Sequence, residues 1–287
     1  MIRMFVFSLF ALLLFGCDSD SATNDTTPLS PELAKQMLDV SYGDDPEQKM
    51  DVYLPAGRLT NVTKVFLLVH GGGWNEGDKA DLNFLVVYLK TQFPDHAIVN
   101  INYRLGTLEN IGYPRQIQDL QAAIKHLNDN VDEFHLSKNY AMIGVSAGAH
   151  LSMLYSYRYN SSRQVKAVCS MVGPADFSDP NYEGNGLFTS GLRYFVGDYP
   201  TYDSNRPLYN EISPSRYVSL FSPKTILLYG TEDELVPESQ GQIMHNKLNQ
   251  FLVYNEYHVY EMGHINWTVE QLNDMESKMT AFFTLHF

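Results

Sequence analysis

The sequence predicts an α/β fold, a mostly parallel central sheet with helices on both faces. Three observations carry this expectation. Short, continuously apolar, β-branched runs recur along the chain, as strands covered on both faces require. Apolar residues at helical spacing lie between those runs. The two patterns alternate from about residue 37 onward, which is how layered strand–helix units read in sequence.

Residues 1–16 stand apart from that rhythm. Met1-Ile2-Arg3 sets a positive charge ahead of the apolar stretch 4–15, and Gly16-Cys17 closes it before the polar Asp18-Ser19-Asp20-Ser21. A charge, a short apolar run and a small residue together make a secretory signal. Leu14-Phe15-Gly16-Cys17 resembles the lipobox of bacterial lipoproteins, whose cysteine is acylated and becomes the new N-terminus. The expectation is a lipid anchor at Cys17 in a bacterial envelope membrane, then a flexible tether over 17–36. An ordinary cleaved signal that leaves Cys17 free, or a short anchor left uncut, is the alternative. With Cys17 acylated, Cys169 is the one remaining thiol, so no intrachain disulfide is expected.

The folded domain is expected over 37–287. Residues 39–42 and 50–54 flank Gly43-Asp44-Asp45-Pro46 and read as an antiparallel pair at a sheet edge. Strands follow at 64–70 (KVFLLVH), 96–102 (HAIVNIN), 139–145 (NYAMIGV), 165–172 (VKAVCSMV) and 224–230 (KTILLYG). A further strand-like run covers 252–260. Ile117, Leu120, Ile124 and Leu127 step by 3, 4 and 3, one buried helix face. Leu272, Met275, Met279 and Phe282 repeat the pattern near the end. Residues 177–217 break the alternation with four prolines and nine aromatics. A connector this long in a compact fold is usually a lid or a binding element.

Composition narrows function. Net charge is −13, from 33 acidic and 20 basic residues, which argues against a nucleic-acid binder needing a basic face. Two cysteines exclude a disulfide scaffold and a cysteine-ligated zinc site. No HExxH pattern or clustered His/Asp spacing occurs, so no metal is assigned.

Gly144-Val145-Ser146-Ala147-Gly148 sits between a strand and a helix. There the glycines permit a strained turn that exposes the Ser146 hydroxyl as a nucleophile. His70-Gly71-Gly72-Gly73-Trp74 ends an earlier strand and offers unobstructed backbone N–H groups to an anionic oxygen. Gly72, Gly73 and Ala147 are the expected donors, and losing one such donor costs about 3 kcal/mol. His70 is assigned to holding the loop. Trp74, beside it, is the candidate substrate-contacting residue.

Serine needs a base. Among nine histidines, His264 follows the 252–260 run and precedes the last helix, where a base belongs. His258 reads as a strand residue, and His150 lies on the helix behind Ser146. The acid is expected between serine and histidine in chain order. Asp233, in Thr231-Glu232-Asp233-Glu234, is the choice, with Asp176 as the rival.

Together these residues resemble the α/β-hydrolase superfamily, and within it the HGGG-type carboxylesterases. The likeness extends to Tyr42-Gly43, Lys49 through Pro55, Asn102-Tyr103-Arg104-Leu105, and Pro114 through Gln118-Asp119-Leu120 to Ala123. Those segments are similar to bacterial feruloyl and acetyl esterases acting on plant polysaccharides, and to relatives of arylformamidase. The resemblance implies an acyl-enzyme mechanism, no cofactor, and a small-molecule or oligosaccharide ester substrate. Gly263-His264-Ile265-Asn266-Trp267 departs from the family in having Ile and Asn where Gly and Phe are expected. Two alternatives stand beside the esterase: a small amidase of the arylformamidase type, and a non-catalytic binding module on the same fold.

Overall fold

The computed structural model describes residues 29–197, 203 and 206–287. The signal segment 1–16, Cys17 and the tether up to 28 lie outside the described residues, as do Tyr199, Pro200 and Tyr202.

The chain forms β1 (Lys35–Ser41), β2 (Lys49–Leu54), β3 (Val65–Val69), α1 (Asn83–Gln92), β4 (Ala97–Ile101) and α2 (Arg115–Asp129). A single turn, α3 (Val131–Phe134), leads to β5 (Tyr140–Val145), α4 (Ala147–Leu154) and β6 (Val165–Met171). The insertion contributes α5 (Gly186–Val196) and α6 (Pro207–Ile212). Then come β7 (Lys224–Gly230), α7 (Ser239–Gln250), β8 (Asn255–Tyr260) and α8 (Val269–His286).

The eight strands lie in the order β1-β2-β4-β3-β5-β6-β7-β8. Six are parallel, and β2 runs antiparallel to both β1 and β4. Strand alternation sorts the core into two layers. Val65, Leu67 and Val69 of β3 face α2, α4 and α7, while Phe66 and Leu68 face α1 and α8. The four apolar positions of α2 are all buried, at about 1.5–3 kcal/mol for each large side chain. In α8 the same holds for Met275, Met279 and Phe282; Leu272 instead lines the cleft described below.

The first strand begins earlier than expected, at Lys35 rather than Asp39. A register shift between Met37 and Val40, with Asp39 at φ +53°, interrupts the alternation that would have marked it. Before it, the carbonyl of Pro31 already accepts from the amides of Gly57 and Arg58. Buried Arg58 also donates to Leu33 O at 2.6 Å and Phe134 O at 3.0 Å. The fixed chain therefore reaches into the stretch read as tether.

Candidate active site

The turn after β5 is built by close approach. A side chain on Gly144 would meet the carbonyl of Gly148 at 2.4 Å, and one on Gly148 would meet those of Val69 and His70 at 2.1 and 2.3 Å. Ser146 is held at φ 52°, ψ −120°, a conformation that costs energy and persists only where its surroundings enforce it. Its amide donates to Met171 O at 2.8 Å, and its carbonyl accepts from His150 N at 3.0 Å. The strained turn thus aims the hydroxyl off the end of the strand, with α4 starting at the next residue.

His264 comes to that hydroxyl from 118 residues away, its Nε2 2.8 Å from Ser146 Oγ. On its other side Nδ1 lies 2.7 Å from Asp233 Oδ2. An ionised carboxylate only accepts, which puts the ring proton on Nδ1 and leaves Nε2 to accept from the serine. The side chain of Asp233 is fully buried, and that of His264 is 15% exposed. The second oxygen of Asp233 accepts from Leu235 N at 2.9 Å and Val236 N at 2.8 Å, which fixes the carboxylate plane. Thr268 and Gln271 form a capping box that starts α8, and Gln271 Nε2 donates to Glu261 O at 2.8 Å. The loop that carries His264 is therefore clamped at both ends.

The rival acid does other work. Asp176 accepts from Ser178 N and from Ser215 Oγ, at 3.0 and 2.9 Å, and lies 3.4 Å from Arg216. It anchors the insertion. His258 pairs with Glu256 within β8 at 3.1 Å.

Opposite Ser146, Gly72 has φ +104° and Gly73 φ +54°. A Cβ on Gly72 would meet Glu76 O at 2.0 Å. Among the described residues the N–H groups of Gly72, Gly73 and Ala147 find no intramolecular acceptor. That suits donors kept for an oxyanion. The loop is fastened from behind. Tyr103 OH donates to His70 O at 2.9 Å, and its ring stacks on His70 at 4.2 Å. Burial pushes the His70 imidazole below its ordinary pKa, consistent with a holding role. Next to Tyr103, Arg104 donates through N and Nε to the buried Asp119 carboxylate, both at 2.8 Å.

A family model described as BD-FAE matches residues 50–248, well over half of the chain. The chain belongs to the BD-FAE family. Esterase LipC of Mycobacterium tuberculosis is 29% identical over 215 residues, 71% of this chain and 52% of that protein. Kynurenine formamidase of Danio rerio is 28% identical over 163 residues, 54% of this chain and 52% of that protein. The chain thus spans about half the length of the curated relatives it matches. Among solved structures, a truncated form of a carbohydrate esterase from gut microbiota superimposes with a TM-score of 0.71 at 20% identity. That match covers 88% of this chain and 99% of the other. The fold is therefore that of the α/β-hydrolases.

In this BD-FAE chain Ser146 and His264 open into a cleft of about 980 Å³. Trp267, Ile265 and Phe84 line one part of it, and Ser190, Arg193 and Tyr194 of α5 another. Trp267 and Ile265 follow the base directly, so the segment that departs from the family pattern is the one that shapes this wall. Phe84, from α1, carries no signal in the sequence that sets it apart from core.

Trp74 also lines the cleft but is only 3% exposed. Its ring stacks on Phe195 of α5 at 5.1 Å, and its Nε1–H donates to His150 Nδ1 at 3.1 Å. Its contacts join the loop of residues 70–74 to the insertion. The insertion's rings behave alike: Phe177, Tyr182, Phe195 and Tyr209 are buried, while Tyr194 faces the cleft.

Proposed function

We propose that this protein is a serine carboxylic-ester hydrolase, acting through an acyl-enzyme on short-chain acyl or hydroxycinnamoyl esters of carbohydrates. The observation that carries this is the unbroken hydrogen-bonded chain from Ser146 through His264 to Asp233, facing three free amides. His264 Nε2 takes the Ser146 proton as Oγ attacks the carbonyl carbon. The N–H groups of Gly72, Gly73 and Ala147 receive the oxyanion. His264 then returns the proton to the leaving alcohol, and water repeats the sequence to release the acid. Asp233 keeps the imidazole oriented and stabilises its charged form. No step calls for a cofactor.

The substrate class is supported by kinship with proteins named esterase and carbohydrate esterase. It is also supported by aromatic faces on the cleft wall, Phe84, Tyr194 and Trp267, against which a sugar or phenolic ring can pack. Likeness to a kynurenine formamidase favours an aryl formamide as the second reading. A panel of p-nitrophenyl acetate, methyl ferulate, acetylated and feruloylated xylan fragments, and an aryl ester with its matching anilide separates these. Turnover of the carbohydrate esters with little on the anilide is expected. Turnover confined to long-chain triglycerides, or to the anilide, overturns the assignment.

A further inference from the structure

The two ends of the parallel sheet differ in charge, and the strand-entry end carries a cluster of cations. The loops that enter β3, β5 and β6 hold Lys64, Lys138 and Arg163, and Lys166 and Lys224 stand at the starts of β6 and β7. Asp95 lies ahead of β4, Asp132 and Glu133 on the α3 turn ahead of β5, and Glu256 at the start of β8, so the cations gather on the β3–β5–β6–β7 side of this end. The segments that leave those strands reverse the sign. Glu76, Asp78, Asp176, Asp179, Asp233 and Glu261 lie among them. The cations Lys79 and Arg104 on that side are already paired, Lys79 with Asp39 and Asp51 and Arg104 with Asp119.

At the basic end Lys64, Lys166, Lys224 and His286 line a cleft of about 380 Å³. Apolar side chains stand exposed on the same entering loops: Leu59, Val62, Leu220, Phe221 and Leu252, the last 93% exposed. The Arg163 guanidinium lies over the Phe221 ring at 3.9 Å. Near this cleft Asp95 hydrogen-bonds His96 at 2.7 Å and Glu256 hydrogen-bonds His258 at 3.1 Å, and Lys64 Nζ donates to Phe287 O, which leaves Lys138, Lys166 and Lys224 as the exposed lysines. The chain ahead of β1 enters the fold at this end too, since Lys35 pairs with Leu54 at the edge where β4 begins.

We propose that this strand-entry end docks on an anionic lipid surface, with the Ser146 cleft turned away from it. Exposed lysines on long apolar stems, interleaved with bare Leu, Val and Phe side chains, match a layer of phosphate headgroups over acyl chains. In a chain of net charge −13, the opposite end would be repelled by the same surface. Ser146 sits one strand length away, on the order of 20 Å. An acyl chain at Cys17, as the lipobox resemblance implies, would be the first anchoring signal and the basic end the second.

The test is lysine footprinting of the full chain on phosphatidylglycerol-containing and on phosphatidylcholine vesicles. A water-soluble acylating reagent is used, and modified sites are mapped by mass spectrometry. Lys138, Lys166 and Lys224 should label several-fold more slowly on the anionic vesicles, the difference vanishing at high salt. Lys49, at the other end of β2, should label equally on both. A Lys166→Glu/Lys224→Glu chain should keep its thermal unfolding and lose the protection of Lys138. Equal labelling of all four lysines on both vesicles overturns the proposal. So does protection of Lys49 in place of the other three.

Discussion

The indole Nε1–H of Trp74 donates to Nδ1 of His150, while Nε2–H of His150 donates to the carbonyl of Ile212 at 2.8 Å. One neutral imidazole therefore joins the His70–Trp74 loop, the helix that follows Ser146 and the end of α6. A second ring proton would have to sit on Nδ1, facing a donor. His150 is fully buried, and burial lowers its pKa from 6.5 to about 4.

An acid-stability profile follows. Between pH 6.5 and about 4 the unfolded chain takes up a proton that the folded His150 refuses, so stability is complete above that window and falls on descending through it. The loss amounts to roughly 3 kcal/mol. Urea unfolding across this range should show it, and His150→Phe should flatten the slope. The same variant should lose about 2–4 kcal/mol at neutral pH, from the unpaired Trp74 N–H and Ile212 carbonyl. An unchanged slope in His150→Phe would assign the acid lability elsewhere.

Asp233→Asn should keep the fold and lower kcat for a good ester by about 10⁴-fold. The amide would present N–H to His264 Nδ1 or force the other tautomer. Asp176→Asn should keep most of its turnover and lose stability, because the Asp176 carboxylate bonds to Ser178, Ser215 and Arg216 of the insertion and its border. The pair of variants, assayed for kcat and for melting, separates acid from anchor.

Gly72→Ala tests the oxyanion loop. The added methyl meets Glu76 O at 2.0 Å at a φ of +104°, so the loop must shift and carry its N–H groups with it. A fall in kcat of about 10²–10³ is expected, with KM much less affected. A rise in KM at unchanged kcat would place the oxyanion donors elsewhere.

Much of this site is legible in the amino-acid sequence because its signals are local. Gly144 answers a contact four residues away, at Gly148 O, the GxSxG pattern itself is contiguous, and the β7 run is the observed strand from Lys224 to Gly230. Asp233 and His264 are placed by chain order on the fold. What escapes is set by distance. His150 reads as an ordinary helix residue until Ile212, 62 positions away, accepts its proton. Arg58 gives no hint that it is buried among the carbonyls of Leu33, Pro55 and Phe134. Leu272 shares the spacing of Met275 and Met279 yet faces the cleft, because the first turn of α8 follows directly on the loop that carries the base.

The central claim is that Ser146 is the attacking group. Treating the protein with diethyl p-nitrophenyl phosphate and mapping the product by mass spectrometry should place a single phosphoryl adduct on Ser146, with loss of ester turnover in proportion. Ser146→Ala should take up no label and show kcat reduced about 10⁶-fold. An adduct on another residue, or a Ser146→Ala protein that still turns over ester, would contradict it.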